Sequence, residues 1–362
     1  KLFDALNTIH VQNKIQTRYG LKRFSASSFP GNVQSLSFYN KLDGTTRRIV
    51  AKQATQLYAA DTDGNFSSIK TGLTSTNVHD AVTMNGRHII AIGSDGLFSW
   101  DGTTFADLGI AKPSAPSVSV VAGGSLTRPK TYVVGVTYYA SGIGFETNIS
   151  ADSANAVTSA GNQQIDVSGM TASTHPLVTH KRIYLKNVTD SGSYIFVAEI
   201  TNATTTYSIT ANPAATAGSP PTGKDQPLSG GAKYLAVLNG QLVSAGNVYF
   251  PDEVFFSEQD EPDAWPTTVA PLKIQGNGPI TGLGVGYHNN DSLNEYLVAF
   301  KRRSLAIYFS PVSGSAKLIH IPGVGCVSHK TIRVKDGNIY FLSLFGWRVI
   351  ANGQLLDQTL AE

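Results

Sequence analysis

A single cysteine in 362 residues, Cys326, excludes an intramolecular disulfide framework. No set of Cys and His residues has structural-zinc spacing either, so stability has to come from packing and strand ladders. Charge is also scarce: Asp, Glu, Lys and Arg make up 15% of the chain, against roughly a quarter in an average globular protein. The surface must then be clothed by Ser, Thr, Asn, Gln and Gly, a composition that fits many short strands and a protein largely covered by neighbours. The formal net charge of +3 is too weak to be the footprint of a dedicated nucleic-acid binder, so any DNA contact has to be local. There is no run of about 18 apolar residues, and Lys1-Leu2-Phe3-Asp4 lacks the pattern of a secretory signal, so no membrane partner is expected. The chain starts without Met and stops at Leu360-Ala361-Glu362; flanking residues are expected to be missing.

What is present in abundance is strand pattern. No segment beyond ten residues keeps helical spacing without a Gly, a Pro or a β-branched cluster intruding. Short alternating runs recur instead: Gln34 to Tyr39, Arg48 to Lys52, Gln56 to Ala60, His88 to Ile92, Leu97 to Trp100, Leu235 to Leu238, Leu242 to Ala245, Glu295 to Phe300, Leu305 to Phe309 and Ile339 to Leu342 among them. They are punctuated by Asp43-Gly44, Asp63-Gly64, Asn85-Gly86, Asp95-Gly96, Asp101-Gly102, Asn239-Gly240, Asp336-Gly337 and Asn352-Gly353. Such pairs reach positive φ at low steric cost, so each predicts a tight hairpin.

The spacing of these hairpins repeats. A unit of about 35 to 45 residues with some four short strands is the signature of a β-propeller blade, and it predicts blades at 32–79, 80–111, 226–272, 273–317 and 318–356. Residues 1–31 are expected either to lend a strand that closes the ring or to leave closure to partner chains. Between the second and third blades, Lys112-Pro113-Ser114-Ala115-Pro116 reads as an entry and Ala211 to Lys224 as a matching exit. The strands between them predict an immunoglobulin-like or fibronectin-III-like sandwich without a disulfide. The expected organisation is therefore all-β: an N-terminal segment and first blades at 1–111, an inserted sandwich domain at 112–225, and the remaining blades at 226–362.

Several segments together resemble a known family. Asn13 to Phe24 is similar to the opening of many tailed-phage virion proteins, with Tyr19 where they carry proline. Val254 to Pro266, ending Asp260-Glu261-Pro262-Asp263-Ala264-Trp265-Pro266, resembles their blade ending, and Gly325-Cys326 with Phe341-Leu342-Ser343 and Gly346 resembles another of their blades. Tyr138-Tyr139, Gly144-Phe145-Glu146-Thr147 and Arg182-Ile183-Tyr184 look like their sandwich insert. The family is the propeller-containing tail nozzle, or tail tubular protein, of short-tailed phages, with related packaged-DNA stabilisation proteins. The resemblance implies a virion location and a homo-oligomeric ring, usually of six subunits, around a DNA conduit. It further implies portal or adaptor and tail fibre or needle proteins as partners, and a role in genome retention and ejection. This chain is much shorter than many nozzle proteins.

Catalytic chemistry is not expected. Asp61, Asp63, Asp95, Asp101, Glu253, Asp260, Glu261 and Asp263 are weighed as the carboxylate pair of a propeller glycosidase, but most sit in turn contexts where the side chain caps backbone. Asp61-Thr62-Asp63-Gly64 lacks the downstream Glu of a calcium loop. His10, His79, His88, His175, His180, His288, His320 and His329 are scattered, Cys326 has no nucleophile signature, and Gly282, Gly284 and Gly286 read as strand glycines where backbones approach closely. No cofactor and no metal site is expected. The sharper candidates are basic: Arg18, Lys22 and Arg23, and the turn Lys301-Arg302-Arg303, for sequence-independent contact with phosphate in a channel or for ion pairs between subunits. The alternative functions are a carbohydrate- or receptor-binding propeller, against which the dissimilar surroundings of Trp100, Trp265 and Trp347 argue, and a propeller glycosidase.

Overall fold

The computed structural model describes residues 8–11, 14–17, 32–41, 44, 46–159, 161–288, 291–309 and 316–356. Their fold is all-β; the one helical turn among them is the 3-10 segment His329–Thr331. Five four-stranded antiparallel meanders form β-propeller-like blades. Blade 1 runs from Val33–Asn40 to Phe66–Lys70, blade 2 from Asp80–Met84 to Phe105–Asp107, and blade 3 from Tyr234–Leu238 to Leu272–Lys273. Blade 4 runs from Ile280–His288 to Lys317–Pro322, and blade 5 from Arg333–Lys335 to Gln354–Leu356. The first strands of successive blades lie side by side. One predicted boundary moves: Lys317–Pro322 is the outer strand of blade 4, not the start of blade 5, because it pairs with Ser304–Phe309 along its whole length.

The two-residue turns behave as their chemistry requires. Asn85-Gly86, Asn239-Gly240, Asp336-Gly337 and Asn352-Gly353 each have both φ angles positive and each joins two adjacent strands of one blade. Alternation then sends one side of each strand into a seam between blades. Four buried clusters fill the seams from blade 1 to blade 2 through to blade 4 to blade 5. At the last of these, Gly286 lets the blades close: a Cβ there would lie 2.5 Å from the Tyr296 ring and 2.6 Å from the Gly337 carbonyl.

Between blades 2 and 3 the chain makes a two-sheet sandwich. Ser117–Ala122, Gln163–Ser168 and Tyr207–Ile209 form one sheet, and Lys130–Ala140, Phe145–Glu146, Ala156–Thr158, His180–Asn187 and Ile195–Thr201 the other. Val134, Val136, Ile183 and Leu185 from the second pack on Ile165, Val167 and Ile209 from the first. The first two strands lie in opposite sheets, whereas an immunoglobulin domain keeps its first two together; what carries over from the expectation is the two-sheet architecture.

The sandwich is not a pendant. Tyr138, Ala140, Phe145 and Val178 from it share a buried cluster with Ile110 and Ala264 from the propeller. Asn148 donates to Asp225 at 2.7 Å and accepts from the Lys224 amide at 2.9 Å, and the His175 ring bonds the Asp107 carbonyl at 3.0 Å. These contacts tie the sandwich to the propeller-like blades at one junction.

Candidate functional site

The first strands of the blades border an open axial cavity of about 690 Å³. Its lining includes Ser35 and Leu36 of blade 1, His79 and Asp80 at the entry to blade 2, Tyr234 of blade 3, Thr281 of blade 4, and His329 and Arg333 before and in blade 5. Two polar clasps hold this centre. In the first, alternation along Val33–Asn40 turns Ser35, Ser37 and Tyr39 toward blade 2. Ser35 Oγ lies 2.7 Å from His79 Nδ1, and Ser37 Oγ lies 2.8 Å from both His79 Nε2 and His88 Nε2. In the second, Asp80 Oδ2 accepts the Leu235 amide at 2.8 Å and meets His329 Nε2 at 3.1 Å, so one carboxylate ties blades 2, 3 and 5. Thr281 adds blade 4 by donating to the Cys326 carbonyl at 2.8 Å.

The two clasps hold different groups: among the described residues, the hydroxyl–imidazole pair has no carboxylate on its ring, and the carboxylate–imidazole pair has no hydroxyl. Burial pushes His79 down to about 4 and His88 down to about 3, the neighbouring imidazole of His79 adding to the second. Both rings are therefore neutral at physiological pH and poor bases, since a general base works best near the operating pH. What the arrangement does well is fix the inner strands. Exposed Lys233, Lys330 and Arg333 also border the cavity.

The carboxylates weighed as glycosidase candidates divide by role. Asp61 accepts the amides of Asp63 and Asn65, and Asp101 those of Thr103 and Thr104. Asp95 accepts the Thr74 hydroxyl at 2.7 Å. Glu261 pairs with Lys224, and Asp263 is buried against Arg87 of blade 2, where it also accepts the Gly109 amide at 3.1 Å. Among the described residues no three His, Cys, Asp or Glu side chains form a metal-ligand group.

Of the basic candidates, Arg18, Lys22 and Arg23 lie outside the described residues. Lys301, Arg302 and Arg303 part company. Arg302 and Arg303 form the exposed hairpin turn between Asp291–Lys301 and Ser304–Phe309. Lys301 is buried, with Nζ donating to the Gly276 carbonyl at 2.6 Å, and burial lowers its pKa. Its ammonium group is thus engaged within the blade itself. Leu297, Ala299 and Lys301 share one face of the strand, but the other face, with Tyr296, Val298 and Phe300, is core as well, so alternation alone does not single Lys301 out. Lys52 and Lys181 are buried as well. Their ammonium groups bond the carbonyls of Ala54 and Thr74, and of Met170 and Thr171.

Of the segments that carry the phage resemblance, Asn13 to Phe24 lies largely outside the described residues; those of the insert meet within one sheet of the sandwich. Glu146 accepts from Arg182 at 2.7 Å and from the Tyr184 hydroxyl at 2.6 Å, and Arg182 also lies 3.6 Å over the Tyr139 ring. In the blade-3 ending, Asp263 anchors blade 2, Ala264 enters the sandwich junction, and Trp265 donates its indole N–H to the Pro262 carbonyl at 2.8 Å. Gly325 packs on the backbone of Lys301 to Arg303, and Cys326 is buried in the seam between blades 4 and 5.

No protein-family model matches the sequence, and no curated protein matches it. Among solved structures, the chain is similar to BBS1N in complex with ARL6DN at 11% identity, over 86% of this chain and 89% of that one, with a TM-score of 0.24. It is similar to tricorn protease at 12% identity, over 95% of this chain and 32% of that one, with a TM-score of 0.22. Kluyveromyces lactis Hsv2 shares 8% identity over 89% of this chain and 98% of that one, with a TM-score of 0.19. At such TM-scores these likenesses bear on neither blade number nor function; the all-β, propeller-like fold stands on the blades themselves.

Proposed function

We infer that this chain is a structural building block of a short-tailed phage tail, assembling as a homo-oligomeric ring around the DNA conduit beside portal, adaptor, fibre or needle proteins. The observation that carries the reading is the Arg87–Asp263–Gly109 junction, through which one segment of the resemblance locks blade 2, blade 3 and the sandwich entry together. A unit stiffened in this way acts through its shape. The cavity bordered by the blades has the volume of a small-molecule pocket, and on this reading the duplex passes between subunits. Any contact of this turn with that duplex falls to Arg302 and Arg303, with the sequence-independent, salt-dependent character of phosphate binding.

Mass measurement of the purified chain across a concentration series tests the reading. A discrete ring mass, with duplex binding that weakens as salt rises, supports it. A chain that stays monomeric alone and in the presence of tail proteins, or one that turns over a glycan, contradicts it.

A further inference from the structure

The five blades have four filled seams, and the fifth is different. Among the described residues, no buried cluster joins blade 5 to blade 1. Blade 1 turns Ser35, Ser37 and Tyr39 to blade 2, and by alternation Leu36 and Phe38 point the other way, 58% and 73% exposed. Blade 5 sends Ile339, Phe341 and Ile350 into its seam with blade 4. Its opposite face carries Leu342, paired across the ladder with Trp347, and Val349, paired with Leu356; Val349 is buried by its neighbours, while Trp347 is 47% exposed and Leu356 43%. Blades 1 and 5 meet at the cavity through Leu36 and Arg333, and among the described residues no buried cluster covers either of these apolar faces, a surface that soluble proteins normally cover.

We propose that this open seam is a docking slot for the hairpin Thr8–Val11 with Lys14–Thr17 of the same chain, which inserts between blades 5 and 1 and closes the propeller. Three observations select that occupant. The hairpin is a two-stranded sheet that pairs with no other strand among the described residues, and such a hairpin is marginal alone in water. Its sequence supplies Ile9, Val11 and Ile15. Only residues 18–32 separate it from Val33, where the seam-lining strand of blade 1 begins, so its effective concentration at the slot is on the order of millimolar.

Alkylation of an engineered thiol tests the slot, with buried Cys326 as the internal slow reference. In full-length Phe38→Cys, at a concentration where the chain is monomeric, the new thiol should react roughly tenfold more slowly than in the same variant carrying Ile9→Asp, Val11→Asp and Ile15→Asp. Hydrogen exchange of residues 340–349 should rise in that second variant, while residues 235–245, in the filled seams, stay protected. If the triple substitution prevents folding, the single variant decides alone: slow alkylation supports the slot. Rapid alkylation of the single variant overturns it. So does protection that appears only as the chain oligomerises, which would assign the slot to a neighbouring copy.

Discussion

Arg87, in the second strand of blade 2, and Asp263, in the loop before the last strand of blade 3, face each other as a buried ion pair, with a further guanidinium contact at 3.3 Å. Removing one partner leaves the other charge buried, which costs about 3–5 kcal/mol. Asp263→Ala should lower unfolding stability by that amount in a urea titration. Arg87→Met combined with Asp263→Ala should recover part of the loss, since no lone charge then remains. A single-site cost below about 1 kcal/mol would mean the junction does not hold the blades.

The His79–Ser37–His88 clasp makes stability depend on pH. Both imidazoles lie below their ordinary value of 6.5, at about 4 and about 3, chiefly through burial. The unfolded chain therefore takes up protons first as the solution is acidified. The contribution of the pair is complete above pH 6.5 and is lost as pH falls toward 4 and then 3. Between 6.5 and 4 the two groups together remove up to about 2.7 kcal/mol per pH unit. Melting temperature against pH should fall over that window, and His88→Leu should flatten the fall.

Gly286 is the narrow point between blades 4 and 5. Gly286→Val would meet the Tyr296 ring and the Gly337 carbonyl, and overpacking of this kind costs about 1–3 kcal/mol. Hydrogen exchange should quicken at residues 337–341 and stay unchanged in the seam between blades 1 and 2. An equal effect on both seams would show global destabilisation instead.

If the proposed DNA contact holds, the basic turn separates into a structural part, Lys301, and an interacting part, Arg302 and Arg303. Lys301→Met removes a desolvated ammonium whose acceptor, the Gly276 carbonyl, lies in an exposed turn open to water, and should change stability by less than about 1 kcal/mol without altering the salt dependence of duplex binding. Arg302→Gln with Arg303→Gln should leave unfolding unchanged and flatten the slope of log affinity against log salt, by about 0.9 for each phosphate that is no longer neutralised. Urea titration and binding measured across a salt series distinguish the two.

Much of the architecture was legible because it rests on local chemistry. Asn85-Gly86 and Asp336-Gly337 mark turns whose φ angles few other pairs reach, and proline-rich segments bracket the insert. What was not legible depends on residues far apart in the chain. Ser37 and His88 meet only because blade 1 stacks on blade 2, and Arg87 finds Asp263 only across a seam. Lys301 is buried because the strand it ends is covered on both faces, by the seams with blades 3 and 5, which a run of three cations does not reveal. The sandwich strand order also escaped, since alternation reveals faces but not which sheet a strand joins.

Electron microscopy of purified particles tests the central claim most directly. The expected image places this chain in a rotationally symmetric ring at the tail, its propeller and sandwich seen as one rigid subunit around a conduit wide enough for a duplex. A chain absent from the tail, or one whose sandwich adopts varied positions relative to its blades, would contradict it.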